Sequence, residues 1–287
     1  MAAVLDTGAC LLWCERSGRL LWSDVRAARL WAWWPATGAT RSWPMPEPLA
    51  CFALTGSDDR LLLGLASGLA FSAFSTGQVK RICEVDPATR LTGGRCDHQG
   101  RFVFGVAGAD ASQPEAGGFY RLHLDLSLER LPLAAVPIAG SICFSPDGRR
   151  MVFADADTGE LCWCPYNPCS AEVGAACTFV ARDAAPGEPA GMCIDADGYL
   201  WSARLDAGQV IRFAPGGAID RAVMLEAAQP VCLAFGGPGL STLFVATAQD
   251  HSTASERAAA PLPEVVFKDV PGVRGLPEAR FLSAGAY

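Results

Sequence analysis

The sequence predicts an all-β fold, a six-bladed β-propeller. Three observations predict it: a strand–turn–strand unit that recurs along the chain, the spacing of its turn glycines, and a composition rich in both apolar and turn-forming residues. The clearest unit is IAGSICFSPDGRRMVFAD, from Ile138 to Asp155. Ile142, Cys143 and Phe144 form an apolar run, and Ser145-Pro146-Asp147-Gly148 is a turn in which Pro presets φ and Gly accepts a positive one. Met151, Val152 and Phe153 then resume the apolar pattern. A hairpin of this size cannot bury its own face, so copies of it must stack.

In chain order the copies are LLWCERSGRLLW (Leu11 to Trp22), a degenerate CFALTGSDDRLLLG (Cys51 to Gly64), RCDHQGRFVF (Arg95 to Phe104), the unit above, MCIDADGYLW (Met192 to Trp201) and LAFGGPGLSTLF (Leu233 to Phe244). The turn glycines Gly100, Gly148, Gly198 and Gly239 lie 48, 50 and 41 residues apart, and Gly18 precedes Gly100 by 82, room for two units. Six units in 287 residues match propeller blades of four short strands, closing as one domain over residues 1–287. Thirty Gly and twenty Pro in a chain that is 51% hydrophobic agree with many short strands joined by turns.

The net charge of -7 and the absence of a basic run argue against nucleic acid and anionic membranes as partners. No apolar stretch approaches the ~20 residues of a membrane span, and MAAVLDTGAC does not read as a secretory signal, so a cytoplasmic monomer or weak homodimer is expected. The twelve cysteines sit mostly at strand positions, where Cys behaves as a small hydrophobe in a reducing compartment. Cys162 and Cys164 share a strand face near Cys169 and Cys177, which leaves a thiolate clip or a disulfide open. The tryptophans Trp31, Trp33, Trp34 and Trp43 read as packing between blades. His98, His123 and His251 are scattered, which argues against a His-based triad.

The segments GRLLWSDV, RLWAWWPATG, RCDHQGRFVFG, GGFYRL, ICFSPDGRRMVFAD, MCIDADGYLW, QVIRFAPGG, AFGGPGLSTLFVATA and GVRGLPEARF resemble, in this order and over nearly the whole chain, the senescence-marker protein (regucalcin)/gluconolactonase family. The resemblance implies a divalent cation at the channel mouth, held by a Glu, an Asn and an Asp, that polarises a sugar-lactone carbonyl and activates water. Residue by residue these ligands are replaced. The Glu in the run to Trp13 is replaced by Ala9 or deleted, Gly140 stands for the Asn, and Ala190, after Pro189, for the Asp. None supplies a side-chain oxygen for a hard cation, so no metal and no other cofactor is expected. The family's R-x-N-D-G stretch is Arg90-Leu91-Thr92-Gly93-Gly94 here, keeping the Arg and losing the Asn and the Asp.

Gly140, Ala190, Val106, Met192 and Val231 are small or apolar at positions the resemblance puts near the mouth. The expectation is therefore a drier pocket for an apolar or aromatic small molecule, with Thr92 and Ser141 as hydroxyl-bearing contacts. Arg90, Asp155 and Arg204 are the candidate catalytic groups, although Asp155 recurs at the blade position of Asp24, and a residue recurring there is more often a structural hydrogen-bond acceptor than a catalyst. The sequence expectation is a metal-independent enzyme performing cyclisation, isomerisation or hydrolysis. A non-catalytic binding or scaffold protein is the alternative, and a residual sugar lactonase is disfavoured.

Overall fold

A computed structural model describes residues 10–110, 116–134, 136, 139–225, 229–248, 264–269 and 272–283. Each predicted hairpin forms, and its first strand is the innermost of a sheet. The first sheet is β1 (Leu11–Cys14), β2 (Arg19–Asp24), β3 (Arg29–Trp34) and β4 (Ala39–Pro44). The second is β5 (Leu49–Leu54), β6 (Arg60–Leu65), β7 (Gly68–Ala73) and β8 (Val79–Glu84). The third is β9 (Thr89–Cys96), β10 (Phe102–Gly108), β11 (Gly118–Leu122) and β12 (Leu128–Arg130). The fourth is β13 (Ala139–Phe144), β14 (Arg150–Asp155), β15 (Glu160–Pro165) and β16 (Cys177–Val180). The fifth is β17 (Glu188–Ile194), β18 (Leu200–Leu205), β19 (Gln209–Phe213) and β20 (Ile219–Met224). Then come β21 (Gln229–Gly236), β22 (Thr242–Ala248) and β23 (Glu264–Asp269), a sheet of three described strands.

All pairings between these strands are antiparallel and form meanders, the all-β propeller arrangement. Five sheets carry the full four strands of a blade. The sequence further leads us to expect a strand from one terminus to close the last blade, as propellers hide their edges; residues 1–9, Ala9 among them, lie outside the described residues.

The ring is held by a hydrophobic cluster between each pair of neighbouring sheets. Leu21 and Leu63 meet between the first and second, Leu62 and Phe104 between the second and third, and Phe119 and Phe153 between the third and fourth. Val152 and Ile211 meet between the fourth and fifth, Trp201 and Leu243 between the fifth and sixth, and Trp13 and Phe244 between the sixth and first. The Phe119–Phe153 rings meet edge-on at 4.7 Å and Trp13 stacks on Phe244 at 5.5 Å. Aromatic pairs of this kind add ~0.5–1.5 kcal/mol beyond the burial of their area. The tryptophan-rich strands β3 and β4 carry part of this packing: Trp33 meets Phe244 edge-on at 6.4 Å and Trp43 meets Phe74 at 4.7 Å.

The segment 272–283 crosses the lower mouth of the ring. Phe281 N donates to Leu54 O, Leu282 N to Gly100 O and Gly275 N to Leu240 O, while Ala196 N donates to Arg274 O. The segment therefore touches the second, third, fifth and sixth sheets, and Arg280 adds Glu15 beside the first. All twelve cysteines are free thiols, Cys162, Cys164, Cys169 and Cys177 included. Among the described residues no helix is long and apolar enough to cross a membrane.

Candidate functional site

The innermost strands surround a cavity of about 420 Å³ that opens at the mouth opposite segment 272–283. Five of them break register where they line it. The shifts fall between Leu49 and Cys51 on β5, opposite Phe104 and Val106 along Leu91–Gly94 of β9, between Ala139 and Ile142 on β13, between Pro189 and Met192 on β17, and between Pro230 and Cys232 on β21. A bulge leaves a residue out of the ladder and re-aims it. Ala50, Thr92, Gly93, Gly140, Ser141, Ala190, Gly191 and Val231 all lie at these bulges and all line the cavity.

The walls approach closely at two glycines. A Cβ on Gly191 would stand 2.6 Å from Cys232 Cα, and one on Gly93 would stand 3.2 Å from Gly140 O. Ser141 Oγ accepts from Met192 N at 3.0 Å and so ties the fourth sheet to the fifth.

The floor is an ion pair. Arg95 Nε and Nη2 donate to the two carboxylate oxygens of Glu278, each at 2.7 Å, while Nη1 donates to Met192 O at 3.1 Å and to Cys143 Sγ at 3.3 Å. Glu278 and the neighbouring thiol hold the Arg95 guanidinium well above its usual pKa against the opposing cost of burial. Glu278 comes from segment 272–283, and a second cavity lies beneath the pair, so this bridge turns a channel into a pocket.

Thiols ring the wall. Burial pushes Cys51 up to about 12 and Cys232 up to about 11, and Cys10 well above the ordinary thiol value, so none offers a thiolate at neutral pH. Among the described residues the lining contains no Asp, Glu, His or Lys, and its charged residues are Arg26, Arg90 and Arg95.

Of the residues singled out from sequence, Arg90, Thr92, Gly140, Ser141, Ala190, Met192 and Val231 meet in this one cavity. Three do not. Asp155 Oδ1 accepts from Asp157 N at 3.0 Å and Thr158 N at 3.4 Å, which makes it the acceptor of its own turn. Arg204 is 1% exposed and donates to the carbonyls of Ala185, Pro186 and Gly187, clamping the turn before β17. Val106 is fully buried on β10 in the core between the second and third sheets. All three sit on second strands and lie outside the cavity lining, Asp155 and Arg204 serving turns and Val106 the core between two sheets.

Sequence reasoning missed Arg26, Arg95 and the thiols of Cys10, Cys51 and Cys232 as lining residues. A signal for Arg95 was present, since it directly follows the motif that marks Arg90.

The donor set does not fit the divalent cation that the resemblance implies. Gly140 and Ala190 reach the wall without a side-chain oxygen, and among the described residues no group of three His, Cys, Asp or Glu could hold a metal ion.

Comparison with known proteins places these features. The family model for the SMP-30/gluconolactonase/LRE-like region matches residues 7–249. An L-arabinolactonase of Azospirillum brasilense is 45% identical over 83% of this chain and 79% of its own. A 6-deoxy-6-sulfogluconolactonase of Pseudomonas putida is 29% identical over 96% of this chain and 94% of its own. The crystal structure of a calcium-binding regucalcin from Agrobacterium tumefaciens superposes with a TM-score of 0.84 at 27% identity, covering 94% of this chain and 92% of that one. These relatives overturn the expectation of an apolar ligand and chemistry other than lactone opening. That expectation weighed the loss of a few polar side chains; the cavity keeps three guanidinium groups, two hydroxyl-bearing residues and the frame on which sugar lactonases are built.

Proposed function

Because the chain belongs to the SMP-30/gluconolactonase/LRE-like family, we propose that it is a sugar lactonase acting on a five- or six-carbon lactone in the central cavity. The observation that carries this reading is the 45% identity to an L-arabinolactonase, joined to a cavity whose bulged walls and guanidinium groups suit a polar ring. Its volume lies within the ~300–1,000 Å³ of small-molecule sites.

Arg90 donates to the lactone carbonyl, where negative charge develops as water adds. Thr92 and Ser141 take ring hydroxyls, and Gly140, Ala190, Met192 and Val231 shape the wall against the ring. Hydroxide adds to the carbonyl carbon, the ring C–O bond breaks, the departing alkoxide takes the proton of the new carboxyl group, and the net products from lactone and water are an aldonate and a proton. Among the described residues the lining supplies no general base, so the nucleophile is hydroxide formed in solvent from water, which leaves its proton there. No step passes through a metal, since the described donors do not fit one.

The three-stranded sheet reads as the sixth blade, because hydrophobic clusters join it to the sheets on both sides. Twelve free thiols support a reducing, cytoplasmic compartment. The test is hydrolysis of L-arabinono-1,4-lactone followed by proton release. Turnover above the spontaneous rate that falls in Arg90→Ala by roughly 10²-fold, the scale of losing one oxyanion donor, is expected. A rate equal to buffer alone refutes the reading.

A further inference from the structure

Two cavities stack along the axis of the ring, and one side chain stands between them. The lower cavity, of about 490 Å³, lies between the floor of the upper one and the crossing segment 272–283. Along the inner strands the lining passes from one cavity to the other within a step or two, from Ile142 to Cys143 on β13, from Met192 to Cys193 on β17 and from Leu233 to Phe235 on β21. On β9 the step falls at Arg95, the one described residue that lines both. Its guanidinium reaches from the third sheet to Cys143 Sγ on the fourth, Met192 O on the fifth and Glu278 on the crossing segment. The side chain is therefore a crossbar tied at its far end, and the bidentate pair leaves Arg95 and Glu278 only 17% and 12% exposed.

The two spaces differ in chemistry. The upper one holds the groups assigned to the lactone, Arg90, Thr92 and Ser141. The lower one is lined by Phe144, Pro146, Ile194, Phe235 and Leu276, by thiols that burial keeps protonated and by the exposed His98, and its Arg95 and Glu278 neutralise each other. Walls of this kind suit an alkyl chain. The crossbar keeps such a chain out, because a tail directed downward from a ring held at Arg90 meets a hydrogen-bonded ion pair, and displacing either charge strands the other.

We propose that the Arg95–Glu278 crossbar sets the specificity of the site: it confines the reaction to short polyhydroxy lactones and refuses 4-alkyl lactones, whose tails the lower cavity would otherwise bury. This rests on the lactonase reading and deepens it by naming the class refused and the pair that refuses it. Neither residue touches a reacting atom; together they decide how far a substrate reaches down the axis.

Kinetics compare L-arabinono-1,4-lactone with γ-nonalactone, the same five-membered ring carrying a pentyl tail. Arg95→Ala/Glu278→Ala opens the floor without stranding a charge, and Arg95→Met/Glu278→Ala removes the charges but keeps a long side chain across the axis. The alanine pair is expected to raise kcat/KM for γ-nonalactone relative to L-arabinono-1,4-lactone by roughly tenfold or more, since each buried methylene is worth about fourfold and two or more enter the lower cavity. The methionine pair stays within about threefold of the wild-type ratio, less than one buried methylene. Adding Ile194→Trp to the alanine pair fills the lower cavity and cancels the gain. Arg95→Val/Glu278→Ala opens the same gap with a residue suited to a strand and gives the same result if the alanine pair does not fold.

Calorimetry with tetrahydrofurfuryl alcohol and 2-pentyltetrahydrofuran, ring ethers that cannot be hydrolysed, reads the same gain as a ratio of Kd values. An unchanged ratio in the alanine and valine pairs, an equal gain in the methionine pair, or a gain that Ile194→Trp leaves intact overturns the proposal. Hydrolysis of L-arabinono-1,4-lactone with no gain for the tail in the opened variants overturns this inference alone. A gain for the tail in calorimetry without hydrolysis of either lactone by the wild type overturns the lactonase reading and leaves the crossbar standing.

Discussion

Replacing Glu278 by alanine removes the floor of the cavity and leaves the Arg95 guanidinium without its counter-ion. The pair is bidentate at 2.7 Å, with side-chain exposures of 17% for Arg95 and 12% for Glu278. Removing one partner of a buried pair costs ~3–5 kcal/mol, because the remaining charge is desolvated and uncompensated. Arg95 edges two cavities and keeps its bond to Met192 O, so water can reach it, and the lower end of that range, ~3 kcal/mol, is appropriate.

For 287 residues, an unfolding entropy of ~2.1 cal/mol/K per residue gives ~0.6 kcal/mol/K, and the expected fall in Tm is about 5 °C. Differential scanning calorimetry of the wild type, Glu278→Ala, Arg95→Met and the double variant completes a cycle. In the Arg95→Met background, where no charge is stranded, Glu278→Ala costs under ~1 kcal/mol. A fall of less than 1 °C for Glu278→Ala alone, or an equal cost in both backgrounds, refutes the view that the ion pair seals the floor.

Three further outcomes follow from the same structure. Lactone hydrolysis rises about tenfold per pH unit from 6 to 9 without a plateau, because the wall thiols of Cys51 and Cys232 stay protonated over that range and the described lining holds no Asp, Glu, His or Lys; a bell-shaped profile reveals a general base outside the described lining. Gly275→Ala lowers Tm by several degrees, since a Cβ there would stand 2.1 Å from Phe235 Cβ and force the crossing segment off the fifth and sixth sheets; an unchanged melting curve shows that the segment yields freely. Titration with a thiol reagent modifies the exposed Cys169 and Cys177 quickly in the native protein, whereas Cys51, Cys143 and Cys193 react only after unfolding; rapid native reaction of Cys51 means that the cavity wall opens.

The hairpins are legible in the sequence because each combines an apolar run with a Gly or Pro turn, two local signals that agree. Ser145-Pro146-Asp147-Gly148 folds as read, with Gly148 at φ 68° and its N–H on Ser145 O. Much of the cavity wall is legible too, since Arg90, Gly140 and Ala190 keep the order of a familiar motif.

Other features depend on contacts that no local pattern encodes. The bulges on β5, β9, β13, β17 and β21 involve Ala, Thr, Gly, Ser and Val, residue types equally at home in regular strands. Arg95 gains its meaning from Glu278, 183 residues away. Asp155 and Arg204 mislead for one reason: a polar residue on a second strand looks catalytic in one dimension and serves a turn in three. That Arg26 and Arg90, the one in the turn after β2 and the other on β9, face one space emerges only when the first and third sheets are folded around it.

The crossing segment also has a consequence for how the protein is made. It follows every described strand in chain order, so a ribosome releases the blades before the piece that stitches them from below. Until residues 272–283 emerge, Arg95 has no counter-ion and the ring is an open tube. Nascent chains stalled before residue 272 should therefore be more readily cleaved by protease in the inner strands than full-length chains. In this protein the last turn of synthesis, rather than the last blade, converts a ring into a vessel.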